Sequence, residues 1–381
     1  MPKFGVTTVL SLSAGALMVG VGMIVALLPQ RVYDATGTLE SVSLIASVFA
    51  VTYLLTQLPV GFLSDRVGAK LFLVAGFTLC GVAGLVYFFI DSAVAILAGR
   101  MIQGVGEAPV WALGPAILAS ARAHEKGRAI GIYNASIHAG LMAGPVAGWL
   151  IAPSGQSQLP FLAFAALSFF GAALIALFLH NAPRRDDRMA VSRPGILHFC
   201  AMLRHRDVAT ILAGIVLYGA CYGAFVSVLP ISLVRVNGFD AAAISILFVV
   251  FYASISASQL VAGPLSDRLG RHRFMAGGLL LAASGFATFP FTPGAWAYMP
   301  LTLASFGLGA FCVASLSELN NWVSPELRGS ISGSYYFAWA LGYILGPLGI
   351  GYADAIRQGS GYFFLAACMA ALVVFMRRYR E

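Results

Sequence analysis

Residues 61–70 read GFLSDRVGAK, and residues 263–272 read GPLSDRLGRH. The two stretches share the pattern G-x-L-S-D-R-x-G and start 202 positions apart. A glycine-rich pattern recurs at the same offset: Gly131, Gly140, Gly144 and Pro145 return as Gly333, Gly342, Gly346 and Pro347. Two unrelated patterns with one common offset predict that the chain contains a duplicated unit.

The composition predicts a protein that lies in a lipid bilayer. Hydrophobic residues make up 59% of the 381 positions and charged residues 10%, with a mean hydropathy of +0.86. Soluble domains are about 45–50% apolar and about 25% charged, because their surface must carry polar groups. The composition therefore disfavours a soluble enzyme, a nucleic-acid-binding protein or a disordered chain, and it indicates a polytopic membrane protein.

Twelve apolar runs are long enough to cross a bilayer, which takes about 20 helical residues. They fall at 6–28, 41–62, 71–90, 93–118, 130–151, 160–180, 208–231, 242–264, 274–291, 296–320, 331–352 and 361–378. A charged stretch separates the sixth run from the seventh. We therefore predict an all-α polytopic membrane protein with two six-helix bundles, residues 1–180 and 208–381, joined by a cytoplasmic linker at 181–207.

The basic residues orient these spans. Lysine and arginine concentrate in cytoplasmic loops, and with both termini in the cytoplasm all but four of the 23 fall on that side or in the linker. The net charge of +8 is then a topology signal, and no nucleic-acid partner is expected. The five cysteines form no C-x-x-C pair, so no disulfide framework, metal or cofactor is predicted. We expect a monomer in the inner (plasma) membrane.

The loop pattern G-x-L-S-D-R-x-G, present in both halves and followed by Lys70 in the first and by Arg271 and Arg273 in the second, resembles the signature of the major facilitator superfamily. The resemblance extends over essentially the whole chain. It implies two pseudo-symmetric six-helix bundles around a central cavity, lined mainly by the first, fourth, seventh and tenth spans. Transporters built from parallel repeats hold their substrate near mid-membrane, at the repeat interface.

The acidic residue of this loop predicts a gate. Asp65 is expected near the start of the eleventh span, around Gly329 and Ser330, because a helix N-terminus favours negative charge. Contacts that exist in only one conformation bias the equilibrium between the two. The predicted gating residues are Gly61, Asp65, Arg66, Gly68, Asp267 and Arg268 in the loops, and Gly144, Pro145, Gly346 and Pro347 in the helices.

The fifth span carries a second resemblance. Gly140, Gly144 and Gly148 recur every four residues and form a smooth face for close helix contact, and Pro145 can bend the helix. This run is similar to the antiporter signature of drug–proton exporters in the superfamily, which implies export. Plain helix packing is the alternative, because the second half of the chain has a similar pattern.

Arg100, Gln103 and Glu107 share one face of the fourth span. Charged groups inside a membrane are costly and mark functional sites. The segment R-x-x-Q-G-x-G that begins at Arg100 resembles a family element associated with proton transfer, which implies that Arg100 and Glu107 couple transport to protons. Since seven residues rise roughly 10 Å, no direct contact between Arg100 and Glu107 is expected without a bend or a water molecule. An ion pair that only holds the helix in place is the alternative.

Polar and aromatic side chains complete the predicted cavity. A free histidine side chain titrates near neutral pH, so His138 is predicted to relay protons, with a hydrogen-bonded structural role as the alternative. The predicted substrate-cavity residues are Gln103, Trp111, Asn134, Tyr218, Tyr222, Phe225, Tyr336 and Trp339. An aromatic lining suits an apolar or aromatic compound, and packing within each bundle is the alternative.

These patterns predict a secondary transporter rather than an enzyme. It works by alternating access and exports a small amphipathic or aromatic compound in exchange for protons. The alternative is a proton-coupled symporter for an organic or lipid-like anion, because residues 106–108 read GEA, which resembles symporters and lysolipid transporters of the superfamily. No G-x-S-x-G, H-E-x-x-H or G-x-x-x-x-G-K-[ST] pattern supports catalysis or ATP hydrolysis.

Overall fold

The computed structural model describes residues 5–25, 27–28, 31–32, 39–152, 157–179, 203–357 and 359–377. Within these ranges the regular structure is helical, and they contain no β-strand. The α-helices are α1 (Val6–Val25), α2 (Leu39–Val67), α3 (Ala69–Phe89), α4 (Ala93–Ala121), α5 (Lys126–Ile151), α6 (Leu159–Phe178), α7 (Arg206–Val226), α8 (Val228–Asn237), α9 (Ala241–Leu269), α10 (Arg271–Thr288), α11 (Tyr298–Leu319), α12 (Arg328–Ile356) and α13 (Ser360–Arg377). The predicted all-α fold class is confirmed.

Eight segments of the described chain are long and apolar enough to cross a membrane, and they correspond to α1, α2, α3, α6, α7, α9, α10 and α11. Every predicted run overlaps an α-helix, while the count of twelve crossings stays a prediction. Large apolar side chains are exposed on these helices, as Leu55, Phe89 and Leu177 show with exposed fractions of 65%, 74% and 72%. Such a surface suits lipid chains.

The seventh predicted span differs from the single run at 208–231. It is divided at Ser227, whose φ of −118° and ψ of −64° leave helical geometry. Two local features explain the break. The Ser227 hydroxyl donates a hydrogen bond to the carbonyl of Gly223 at 2.6 Å, and Pro230 has no backbone N–H to continue the helical ladder.

The chain forms two compact units. The first comprises residues 1–123, 132–183 and 327–336, and the second comprises 124–131, 184–326 and 337–381. Each unit therefore includes the first turns of a helix whose remainder belongs to the other. The predicted linker lies mostly outside the described residues, so the predicted domain bounds stay a prediction.

Close helix contacts within each unit depend on glycine. In the first unit, a Cβ on Gly144 of α5 would lie 2.5 Å from the Cα of Gly22 on α1, where no side chain fits. In the second unit, a Cβ on Gly346 of α12 would overlap the Cα of Ala220 on α7. The glycine face predicted on the fifth span thus packs against α1, and its repeat packs against α7.

Candidate functional site

Helix α4 carries the polar side chains at the centre of the first unit. Ser92 caps its N-terminus by accepting a hydrogen bond from the N–H of Ala95 at 3.2 Å. Gly104 and Gly106 allow neighbouring helices to approach, since a Cβ on Gly104 would collide with α2 and one on Gly106 would lie 2.7 Å from the carbonyl oxygen of Gly76 on α3. The two glycines therefore let α2 and α3 pack closely against α4, which carries Arg100, Gln103 and Glu107.

Gln103 connects Arg100 to Glu107. The Nη1 of Arg100 donates to the Oε1 of Gln103 at 3.1 Å, and the Nε2 of Gln103 donates to the Oε1 of Glu107 at 2.7 Å. Gln103 is fully buried and Glu107 is 4% exposed. A neutral amide therefore bridges Arg100 and Glu107, which are not in direct contact.

Arg100 is held on the side of α2. Its Nε donates to the carbonyl of Ile45 at 3.3 Å, and its guanidinium lies over the ring of Phe49 at 4.5 Å from the centroid. A cation is stabilised over an aromatic face. Within the described ranges no direct ion pair joins Arg100 to Glu107, so the carboxyl group can change its charge without breaking one.

Trp111 extends this network towards α5 and α12. It follows Glu107 by one turn of α4, and its ring lies 6.4 Å from that of His138 and 5.8 Å from that of Tyr336. The Nδ1 of His138 is 2.8 Å from the backbone carbonyl oxygen of Asn134. The structure thus brings His138 and Tyr336 to Trp111, and the roles of these residues in transport stay predictions.

A second group of aromatic side chains lies in the second unit. The aromatic cluster consists of Tyr218 and Tyr222 on α7 and Trp339 and Tyr343 on α12, with the rings of Tyr222 and Trp339 5.4 Å apart and those of Trp339 and Tyr343 5.2 Å apart. Phe225 is not part of it. That ring is buried against Phe251 and Phe286, and the ring of Phe251 also lies 5.1 Å from that of Tyr222, so the predicted place of Phe225 in the cavity stays a prediction.

Asp65, at the end of α2, caps the N-terminus of α12. Its carboxylate accepts hydrogen bonds from the N–H of Gly329 at 2.8 Å and of Ser330 at 2.7 Å, and from the Ser330 hydroxyl. Gly61 allows this approach, because a Cβ there would lie 2.7 Å from the carbonyl oxygen of Gly329. Gly68 has a φ of +105°, a conformation that favours glycine.

The second unit contains the equivalent cap. Asp267, at the end of α9, accepts hydrogen bonds from the N–H of Gly127 and of Arg128 at the start of α5, both at 3.1 Å. Gly270 has a φ of +95°, like Gly68. The arginines of the two loops, Arg66 and Arg268, are exposed. Their predicted gating role stays untested.

Further polar and charged side chains, which the repeated loop does not predict, surround the second cap. Arg271 donates to Asp267 at 2.8 Å and lies 3.6 Å from Glu318. Glu318 accepts from the amide of Asn321 at 3.2 Å, and Asn321 accepts from the buried ammonium of Lys126 at 2.6 Å. The only sequence signal was the concentration of charge at these helix ends, which is also what topology requires.

The proline residues of the glycine patterns lie inside long helices. Pro145 is in α5, and its Cδ would be 3.1 Å from a Cβ on Gly22 of α1. Pro347 is in α12, and its Cδ would be 3.1 Å from a Cβ on Gly223 of α7. The two prolines therefore pack at equivalent helix contacts in the two units.

Comparison with known proteins agrees with this architecture. A tetracycline resistance protein, class G, of Vibrio anguillarum is 26% identical over 381 residues, covering 95% of this chain and 94% of that protein. The synaptic vesicular amine transporter of Mus musculus is 24% identical over 347 residues, covering 88% of this chain and 65% of that protein.

A solved structure shows the same fold. The crystal structure of the human organic anion transporter MFSD10 matches with a TM-score of 0.85 at 16% identity, covering 99% of this chain and 100% of that one. The profile of the Major Facilitator Superfamily matches residues 10–234 and 211–381. With the repeated loop and its two helix caps, this match establishes that the chain belongs to the Major Facilitator Superfamily of membrane transporters.

Proposed function

We propose that this chain is a proton-coupled secondary transporter that works by alternating access and exports a small amphipathic or aromatic compound in exchange for protons. The observation that carries the proposal is the buried carboxyl group of Glu107, bridged to Arg100 by the amide of Gln103. Ionisable groups inside a membrane commonly mark ion or proton pathways.

In this proposal Glu107 carries the proton. A neutral amide separates it from the guanidinium of Arg100, so the cation stabilises the ionised form through space while remaining bonded to Ile45 and Gln103. Glu107 can then lose or accept a proton with Arg100 unmoved. His138 lies beside Trp111 and is the proposed relay between the carboxyl group and water.

The aromatic side chains support an aromatic or amphipathic substrate. Tyr222 and Trp339 of the aromatic cluster, together with Trp111 and Tyr336 of the first unit, present flat apolar rings with few polar atoms, which suits such compounds. The names of two relatives point in the same direction, since one is a tetracycline resistance protein and the other an amine transporter.

Uptake of an organic anion together with a proton is the second candidate. Arg100 favours it, because a guanidinium pairs well with carboxylates and lies in the same network as Glu107. The two candidates differ in the direction in which protons move relative to the substrate.

The remaining features of the proposal concern placement and gating. We place the protein in the inner (plasma) membrane as a monomer with both termini in the cytoplasm, and we assign Asp65 and Asp267 to a cytoplasmic gate. The hydrogen bonds of the two carboxylates to helix N-termini support the gating role, because such bonds must break if the helices part.

The direction of proton movement tests the proposal. Purified protein is reconstituted into liposomes that contain a pH-sensitive dye, and tetracycline, an aromatic amine or an aromatic carboxylate is added outside. Interior alkalinisation during substrate entry is expected for exchange, whereas acidification supports the symport candidate. In the Glu107→Gln variant the pH change that accompanies substrate entry is expected to be lost. The Asp91→Asn variant is its matched control, because it removes an exposed carboxylate of the same unit. No proton movement with any substrate contradicts both candidates.

A further inference from the structure

Tyr87 belongs to the network around Glu107, although no sequence pattern points to it. It lies near the end of α3 and is fully buried. Its hydroxyl donates to the Oε1 of Gln103 at 3.0 Å. Its ring fits against α4 only because residue 99 is glycine, since a Cβ on Gly99 would overlap the ring, and the ring of Phe161 packs against its edge at 5.9 Å.

The two donors on Oε1 determine which way the amide of Gln103 faces. Oε1 accepts from both Tyr87 and Arg100, which leaves the NH2 group to donate to Glu107 at 2.7 Å. If the amide turned over, its NH2 group would face the guanidinium, which has no acceptor. The amide oxygen would then face Glu107, which is tolerable only for a protonated carboxyl group.

We propose that Tyr87 is a positioning residue of the proton site, which holds the amide of Gln103 with its NH2 group towards Glu107. The carboxyl group then receives a hydrogen bond on Oε1 in both of its charge states, and the proton is taken up and released on Oε2. This inference rests on the proposed role of Glu107 as the proton carrier. It adds a residue of α3 that controls which hydrogen bond the carboxyl group of Glu107 receives from Gln103.

Other ionisable groups lie near Glu107. They are Arg100 on α4, Tyr53 on α2, Cys80 on α3 and, beyond the Trp111 ring, His138 on α5. Tyr133 on α5 is a buried tyrosine whose hydroxyl does not bond to Gln103. It is equally buried and its hydroxyl donates to the backbone carbonyl of Val110 at 2.6 Å. It therefore offers a control for the loss of a buried hydroxyl.

An infrared titration of the purified, full-length protein reads the carboxyl group directly. The C=O stretch of a protonated carboxyl that disappears in the Glu107→Gln variant identifies Glu107. In Tyr87→Phe the amide oxygen keeps Arg100 as its donor but loses the hydroxyl of Tyr87, so turning the oxygen towards the protonated carboxyl costs less than in the wild type. The midpoint of the Glu107 band is then expected to move by about half a pH unit or more, roughly threefold in proton affinity, towards higher pH. Tyr133→Phe is expected to titrate like the wild type.

A second variant keeps the proposal testable if Tyr87→Phe does not fold. Gly99→Ala retains the hydroxyl but displaces the ring, and the same shift of the band is expected. Wild-type midpoints in the folded variants would overturn the positioning role while leaving Glu107 as the carrier. If no band depends on Glu107, or if its band does not titrate, both the carrier role and this inference are overturned.

Discussion

Replacing Asp65 with asparagine removes one charge and one acceptor oxygen from the N-terminus of α12. In the wild type the carboxylate accepts from two backbone N–H groups and one hydroxyl. Asparagine retains a single acceptor oxygen, and its NH2 group faces a second donor. The variant therefore weakens the contact between α2 and the start of α12 without removing the side chain.

The expected magnitude follows from the bonds that are lost. A hydrogen bond to a charged group contributes about 1.5–3 kcal/mol, and a negative charge at a helix N-terminus adds about 0.3–1 kcal/mol. The asparagine oxygen retains part of this stabilisation. We therefore expect the contact between α2 and the start of α12 to lose about 2 kcal/mol of free energy. At 1.4 kcal/mol for each factor of ten, the opening equilibrium of this contact rises roughly 30-fold.

Hydrogen–deuterium exchange measures this opening at the bonded amides. Native-state exchange reports local opening free energies, so the amides of Gly329 and Ser330 are expected to exchange roughly 30-fold faster in the variant. Asp267→Asn is the matched control, because its carboxylate caps the start of α5 instead. It is expected to accelerate exchange at Gly127 and to leave Gly329 unchanged.

Two outcomes would refute this reasoning. Unchanged exchange at Gly329 and Ser330 in Asp65→Asn would mean that the carboxylate does not hold the start of α12. Equal acceleration at both helix starts in either single variant would mean general loosening rather than loss of a local cap. Transport by Asp65→Asn is expected to slow, and a wild-type turnover would argue against a gate.

Three further predictions concern the cap of α12, the contact between α5 and α1, and the aromatic cluster. Ser330→Ala keeps the backbone donor and loses only the hydroxyl, so exchange at the start of α12 should rise about fivefold, for a loss of about 1 kcal/mol. Gly144→Ala should lower the melting temperature by several degrees, since overpacking costs about 1–3 kcal/mol, whereas Gly349→Ala, with no neighbour within 4 Å, should not. Trp339→Ala should raise the KM for an aromatic substrate about tenfold in concentration-dependent uptake, and an unchanged KM would remove the aromatic cluster from the substrate site.

The duplicated loop was readable from sequence because its requirements are local. A carboxylate that follows a helix and precedes a glycine with positive φ can cap another helix, and the 202-residue offset indicates that it does so twice. The sequence placed Asp65 near Gly329 and Ser330, where the structure has it. It did not indicate Lys126 and Asn321 beside the other cap, because nothing in the repeat requires them.

The site around Glu107 was only partly readable, because helical spacing shows which residues share a face but not what another helix brings to it. Arg100, Gln103 and Glu107 follow from positions on α4, whereas Tyr87 comes from α3 and reaches Gln103 only because Gly99 leaves room. Spacing also grouped Phe225 with Tyr222. Both rings contact Phe251 on α9, and Tyr222 also meets Trp339 on α12, a contact that spacing along α7 could not show.

Two kinds of flux in Glu107→Gln test directly whether Glu107 carries the proton. Proteoliposomes are assayed for transport driven by a pH gradient and for exchange of labelled against unlabelled substrate without a gradient. If Glu107 carries the proton, the gradient-driven flux is lost while exchange continues near the wild-type rate. Wild-type gradient-driven flux in this variant would contradict the account.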